Sequence, residues 1–291
     1  MTNENESTFE SYRPLMFAIA YRMLGSAMDA EDIVQEAFLR YQGAHNIDIP
    51  KAFLTTVVTR LCLDQLKSAR MQRESYIGPW LPEPLITAQS PLDNQYESIS
   101  LAFLVLLESL TPVERAVFLL REVFDYDYRE IAEIVDKEEA ACRQSFHRAK
   151  AHVAEHRPRF AASPEEHQQM LERFMQACVL GDLDGLTDLL AEDVVMTADG
   201  GGKASTATHP IHGSNSVSRF WIGLMRRLIG EVSVAVLEIN GRPALMIRAP
   251  ETVGDSLISF EMDGGKIRTF QVMRNPDKLR GIPPAASPPS A

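Results

Sequence analysis

The sequence predicts two all-α domains, the second carrying a helix-turn-helix, followed by one α+β domain. Three observations carry that reading. Apolar residues recur at helical spacing from about Phe9 to Arg73 and again from about Ser98 to Phe160. Between them lies a stretch without periodicity that holds Pro79, Pro82, Pro84 and Pro91. Beyond Gly181, β-rich runs bounded by Asn-Gly, Gly-Asp and Gly-Gly replace the helical pattern. The predicted segments are 5–73, a linker over 74–97, then 98–160, 164–279 and a Pro/Ala/Ser-rich, disordered tail over 280–291.

The first helices bury Leu15, Ile19 and Met23, then Ile33, Ala37 and Phe38, then Phe53, Val57, Leu61 and Leu66. Thr111-Pro-Val-Glu114 opens a later helix, with Thr as N-cap, Pro at its first position and Glu three residues after the cap. Tyr128–Val135, a turn at Asp136-Lys137, and Glu138 to about Val153 form the helix pair, packed through Ile131, Ala132, Val135, Ala141, Cys142 and Phe146. Its exposed face is expected to carry Glu139, Arg143, Gln144, Ser145 and Arg148. Ser163-Pro-Glu-Glu166 opens the third domain, whose helix buries Met170, Leu171, Phe174, Met175 and Cys178. A short helix near Leu183–Leu190, a strand over Val194–Thr197 and a helix over Phe220–Leu228 follow. Four strands then span Glu231–Ile239, Pro243–Ala249, Ser256–Met262 and Lys266–Met273. In the third of these, Ile258, Phe260 and Met262 alternate with Ser259, Glu261 and Asp263, which predicts one wet face.

At 291 residues, the chain has ample length for two or three domains. A hydrophobic content of 45% excludes wholesale disorder. The net charge of −11 argues against coating nucleic acid or anionic membrane by bulk charge. Cys62, Cys142 and Cys178 lie far apart, as free thiols of a reducing cytoplasm would. Met1–Glu10 is polar and acidic, so no signal peptide is expected, and no apolar run is long enough for a membrane helix.

The acidity is not uniform. Arg60, Lys67, Arg70 and Arg73 face only Asp64 between positions 60 and 73. Arg143, Arg148, Lys150, Arg157 and Arg159 face only Glu155 between 143 and 159. Two basic islands imply two separate phosphate contacts. The helix pair alone is equally compatible with an ordinary helical hairpin.

Three ordered segments carry a resemblance: Asp29-Ala-Glu-Asp-Ile-Val-Gln-Glu-Ala-Phe38, Pro50–Asp64, and the Tyr128–Lys150 helix pair. Together they resemble a bacterial sigma factor of the extracytoplasmic-function group, over roughly residues 5–160. The resemblance implies that 5–73 is region 2 and 98–160 region 4. It implies that Asp29, Glu31, Asp32, Gln35 and Glu36 meet the β′ clamp helices of RNA polymerase core, with β as a further subunit partner. His45, Asn46, Arg60, Lys67 and Arg70 would open the minus-10 element and hold a flipped base, with Leu61 standing where many relatives have Asn. Glu139, Arg143, Gln144, Ser145, Arg148 and Lys150 would read the minus-35 element. Lys137-Glu138-Glu139 is more acidic than the common pattern; its carboxylates suit cytosine amino groups or a helix cap.

The third domain resembles a SnoaL-like domain of the nuclear-transport-factor-2 superfamily, a cone-shaped α+β fold with a pocket. Tyr76-Ile-Gly-Pro-Trp-Leu-Pro-Glu-Pro84, Asp199-Gly-Gly-Gly-Lys203 and Asn275-Pro-Asp-Lys-Leu279 are similar to motifs of the sigma subgroup with this domain fused on. That subgroup implies regulation in cis in place of a separate anti-sigma protein. The regulatory positions would be Trp80, Leu81, Pro82, Glu83, Pro84, Asp199, Gly200, Gly201, Gly202, Lys203, Asn275, Pro276, Asp277, Lys278 and Leu279. Three glycines in a row permit close backbone approach or left-handed dihedrals, and Trp80 among prolines is a stiff apolar peg.

Relatives of this fold include enzymes. An isomerase would want a pocket base and an oxyanion donor, commonly Tyr, and no Tyr follows Tyr128. His209 and His212 suit a solvated loop, and His147, His152 and His156 a phosphate-facing surface. No catalytic set, metal or cofactor is expected; an unknown small ligand in the cone is compatible. The rival reading is a helix-turn-helix repressor or ligand sensor with a small-molecule-binding or isomerase-like cone.

Overall fold

The computed structural model describes residues 2–73, 76–87, 100–156, 162–228, 232–250 and 253–282, with side chains in the first stretch from 6 to 68. Two compact units result. The first holds α1–α3, most of α4 and α5–α7; the second holds the segment 76–87 and everything from α8 onward.

In the first unit, α1 (Thr2–Leu24), α2 (Ala27–Gly43) and α3 (Pro50–Arg73) form one bundle, and α4 (Leu101–Leu107), α5 (Pro112–Glu122), α6 (Tyr128–Val135) and α7 (Glu139–His156) a second. Helix α1 packs on α2, α3 and α5, so Leu15 to Leu24 is buried nearly all round. Ser26 caps α2 by accepting from the Asp29 amide. Thr111–Glu114 and Asp127–Glu130 form reciprocal capping boxes at the starts of α5 and α6, and Pro112 takes the first turn of α5. Helix α6 ends on Asp136 in the left-handed region (φ 54°), which turns the chain into α7.

Two arginines bridge the bundles. Arg115, 3% exposed, donates to the carbonyls of Met23 (2.7 Å) and Leu107 (2.9 Å) and to Glu108 (2.6 Å). Burial lowers its pKa to about 10. Arg60 donates from Nε to the Ile134 carbonyl (2.9 Å) and from Nη2 to that of Glu133 (2.8 Å). Each guanidinium thus reaches a carbonyl left over at a helix C-terminus of the opposite bundle, Met23 for Arg115 and Glu133 and Ile134 for Arg60, and Arg115 also satisfies Leu107 at the end of α4 in its own bundle. Thr55 and Tyr126 add a buried hydroxyl–hydroxyl bond of 2.8 Å.

In the second unit, α8 (Pro164–Leu180), α9 (Leu183–Leu189) and α10 (Ser214–Leu228) accompany a six-stranded sheet in the order β2-β1-β6-β5-β4-β3. The strands are β1 (Leu190–Asp199), β2 (Ile211–His212), β3 (Ser233–Ile239), β4 (Arg242–Arg248), β5 (Ser256–Asp263) and β6 (Lys266–Met273). Only β1–β6 is parallel among the described pairings. This is the α+β arrangement expected, with β1 longer than the Val194–Thr197 run and α10 starting six residues before Phe220. The short polar run Ser214–Arg219 hid that first turn and a half.

Helices and one sheet face enclose Phe174, Trp221, Phe260 and Phe270, each at most 2% exposed. Trp221 meets Phe174 edge-on at 5.4 Å, and His167 stacks on Phe260 at 4.3 Å. The expected wet face of β5 is only partly exposed, with Glu261 and Asp263 half-buried. Ser259 is buried, and burial raises the Glu261 carboxyl above the usual range despite a hydrogen bond from Ser100 and the charge of Arg242. Alternation showed two chemically different faces, but only the tertiary structure shows how far the polar one is covered.

The linker and tail also differ from expectation. Leu81, Pro82 and Pro84 are buried, and the Thr87 and Asn240 amides donate to the Glu238 and Leu85 carbonyls beside an Ile86–Ile239 bridge. Residues 280–282 are ordered, with Ile282 buried and its carbonyl accepting from Arg248 at 3.0 Å. The remaining linker residues, 74–75 and 88–97, and the rest of the expected tail, 283–291, lie outside the described residues.

Candidate nucleic-acid interface and linker site

The amphipathic pattern of α2 buries Ala30, Ile33, Val34 and Ala37, which turns the acidic positions outward. Glu31, Asp32 and Gln35 are exposed, while Asp29 and Glu36 are partly buried. Arg13 pairs with Glu31 (2.5 Å) and Arg40 with Glu36 (2.8 Å). Met28 and Leu39 are also exposed on this helix, at 60% and 53%. The acidic motif drew attention to charge and left these apolar positions unread.

His45 and Asn46 are exposed in the loop before α3, Asn46 in the left-handed region (φ 60°). Lys67 pairs with Asp64 at 2.9 Å, and Arg60 is held as described. The Arg70 side chain lies outside the described residues.

On α7 the buried stripe is Cys142, Ser145, Phe146, Ala149 and Val153, a helical repeat of three and four. Ser145 therefore belongs to the packed side, at 8% exposure, and not to the exposed face where the sequence reading put it. Glu139, Arg143, Gln144, Arg148 and Lys150 are exposed. Each cation already has a carboxylate: Arg143 pairs with Glu139, Arg148 with Glu114 (2.8 Å) and Lys150 with Glu122 (2.9 Å). Burial pushes the Glu114 carboxyl up, but hydrogen bonds from Arg148 and Thr111 outweigh it and hold the group below the usual range. Exposed pairs of this kind contribute about 0–1 kcal/mol, so phosphates can displace them readily.

The second site is built from the three short motifs. Asp199, fully buried at the end of β1, accepts from the Tyr76 hydroxyl (2.6 Å), the Leu81 amide (2.9 Å) and Lys278 Nζ (2.7 Å). Lys278 also donates to the Leu81 carbonyl (2.6 Å) and lies 4.2 Å above the Trp80 ring. Asn275 donates to the Tyr76 hydroxyl (2.9 Å), and its own amide and that of Arg274 donate to the Asp199 carbonyl. Lys203 pairs with Asp277, whose carboxyl is lowered first by that hydrogen bond. Burial and then the bond to Asp199 push the Tyr76 phenol up.

The glycines make this geometry possible. A Cβ on Gly201 would stand 2.3 Å from Asn275 Nδ2, and one on Gly202 2.9 Å from Ile77 Cδ1, with both residues at positive φ. Leu279 is buried, while Pro276 is exposed and Glu83 partly exposed. The sequence motifs contained Tyr76, yet its role as a central hydrogen-bonding group was missed. Asn240, which accepts from the Leu85 amide at 3.0 Å, had only its Asn-Gly turn as a signal.

His209 and His212 are exposed. Among the described residues, no group of three His, Cys, Asp or Glu side chains is placed to hold a metal ion.

Residues 8–71 match the family model of Sigma-70 region 2, and residues 100–153 that of Sigma-70, region 4. The chain is 37% identical over 292 residues to the ECF RNA polymerase sigma factor SigJ of Mycobacterium tuberculosis (strain ATCC 25618 / H37Rv), spanning 95% of this chain and 94% of that one. The chain is an extracytoplasmic-function sigma factor.

This sigma factor is also 30% identical over 280 residues to the probable ECF sigma factor SigI of the same strain, with 94% of both chains covered. The crystal structure of SigJ superposes with a TM-score of 0.79 at 36% identity, over 95% of this chain and 99% of that one. The agreement therefore runs through the α+β domain as well as the two sigma regions. As a sigma factor, the protein binds RNA polymerase core and promoter DNA and directs initiation; its relatives are transcription regulators. Among the described residues, no helix is long and apolar enough to cross a membrane.

Proposed function

We propose that this sigma factor engages the β′ clamp through α2, the minus-10 element through the His45–Asn46 loop and α3, and the minus-35 element through α7, with region 4 lying against β. Its C-terminal domain modulates promoter use in cis by holding the chain that joins the two sigma regions. One observation carries the last statement. The segment 76–87 lies between α3 and α4 in the chain, and the Asp199–Lys278 cluster anchors it to the C-terminal unit. A tether held at Tyr76, Leu81 and Leu85 is much shorter in effect than a free one, which restricts the spacings that regions 2 and 4 reach. The core of the C-terminal unit packs Trp221, Phe174, Phe260 and Phe270 together, a rigid body on which the anchored segment can be held. Acting with RNA polymerase, the protein works in the bacterial cytoplasm.

The test is run-off transcription with purified core polymerase on promoters of several spacer lengths. Initiation is expected only when the sigma factor is added. Asp199→Asn is expected to change the rank order of spacer lengths, and a C-terminal truncation from residue 164 to change it further. Identical output from all three proteins on every promoter would make the extension a passenger.

A further inference from the structure

The helix-turn-helix contains an aromatic contact that the sequence reading did not use. The Arg143 guanidinium carbon lies 4.4 Å from the centroid of the Tyr128 ring, and that of Arg121 lies 5.3 Å from the same centroid. Tyr128 is firmly placed. It is the first residue of α6, directly after the Asp127 cap, and its ring stands edge-on to buried Phe146 at 5.9 Å. Phe146 in turn stacks on buried Phe118 at 6.2 Å.

We infer that Tyr128 is a positioning residue for minus-35 recognition, its ring holding the Arg143 guanidinium in the plane from which it reads a base edge. The inference rests on the assignment of α7 to the minus-35 element. In the free protein, Glu139 takes the Nε and Nη2 side of Arg143, one turn away on the same helix. A guanidinium leaving Glu139 for a guanine edge keeps its place over the Tyr128 ring. It then has only a short in-plane reorientation to make, and few side-chain rotamers are lost on binding. Bidentate reading of guanine O6 and N7 depends on that plane, which a lysine or an unsupported arginine does not hold. Stacking on an aromatic face supplies the orientation without occupying a donor.

The experiment uses the full chain with core polymerase and a promoter set carrying each base at each minus-35 position. Arg143→Ala flattens the preference at one position. Tyr128→Leu is expected to flatten that same position by about three- to tenfold, the range a lost stacking contact gives, with affinity for core unchanged. Tyr128→Phe, which keeps the ring, retains most of the preference. The double variant Tyr128→Leu/Arg143→Ala is no worse there than Arg143→Ala, because the ring acts through the arginine. Tyr128→Met serves as the second ring-free variant if Tyr128→Leu loses core binding. An equal loss at every position, or losses that add in the double variant, would assign Tyr128 a purely structural role and overturn the inference. If Arg143→Ala leaves every preference intact, the α7 assignment itself fails.

Discussion

Lys278 Nζ lies 2.7 Å from Asp199 Oδ2 and 4.2 Å above the ring of Trp80. A buried carboxylate thus draws a cation from one motif, an amide and a phenol from another, and backs them with its own glycine run. Asp199 is fully buried and Lys278 nearly so, which makes each costly to leave without the other.

Removing that charge is expected to free the segment 76–87. Asp199→Asn keeps the shape but removes the carboxylate charge that faces Lys278. Chymotryptic cleavage at Tyr76 and Trp80 should accelerate at least about tenfold, which corresponds to about 1.4 kcal/mol less local stability. Lys278→Met, which leaves the buried Asp199 carboxylate without that cation, should act in the same direction. Unchanged cleavage in both would show that the cluster does not hold the linker.

Arg115 is expected to be a stability determinant of the first unit. Arg115→Ala removes the guanidinium that Glu108 and the Met23 and Leu107 carbonyls accept from, and opens a cavity. The expected loss is about 3 kcal/mol or more, a fall of roughly 6–12 °C in the melting transition of that unit. Arg115→Met, which refills the volume, should recover only part of it. Calorimetry on the full chain reads both.

Acid sensitivity of the second unit should trace to His167. Burial first, and the charge of Arg242 second, lower its pKa from an ordinary 6.5 to about 4. Between those values the unfolded chain holds a proton that the folded chain does not. Its contribution is therefore fully present above about pH 6.5 and is lost as pH falls toward about 4, with a slope approaching 1.4 kcal/mol per pH unit. His167→Phe, stacking on Phe260 without a titrating group, should flatten that part of the stability profile. An unaltered profile would move the sensitivity elsewhere.

Glu122 is expected to restrain DNA binding by the free protein. It pairs with Lys150 at 2.9 Å on the rim of α7. Glu122→Gln should raise non-specific DNA affinity at low salt about two- to fivefold and steepen the salt dependence by up to about 0.9 in log–log slope. Titrations of a labelled duplex at three ionic strengths check it. No change in slope would mean that Lys150 does not reach a phosphate.

Much of this molecule was legible in one dimension. The capping boxes at Thr111 and Ser163, and the helix pair from Tyr128, follow from local hydrogen-bonding groups and a period of 3.6, which neighbours in sequence settle. The Asn240-Gly241 and Gly264-Gly265 turns likewise follow from residues that accept positive φ. The family resemblance then placed the DNA-facing and polymerase-facing segments in order along the chain.

Contacts between residues far apart in sequence had to come from the tertiary structure. Ser145 reads as one polar residue among several, and only the packing of α7 turns it inward. The polar residues of β5 read as a wet face, and only the assembled unit shows how far they are covered. Arg60 and Lys150 read as free basic charge, whereas the fold supplies carbonyls and a carboxylate from tens of residues away. The three regulatory motifs were visible as strings, but their convergence on Asp199 spans 79 to 123 positions. Periodicity and capping are local and act over a few residues; burial and charge pairing are set by which distant surfaces meet, and no local pattern encodes that.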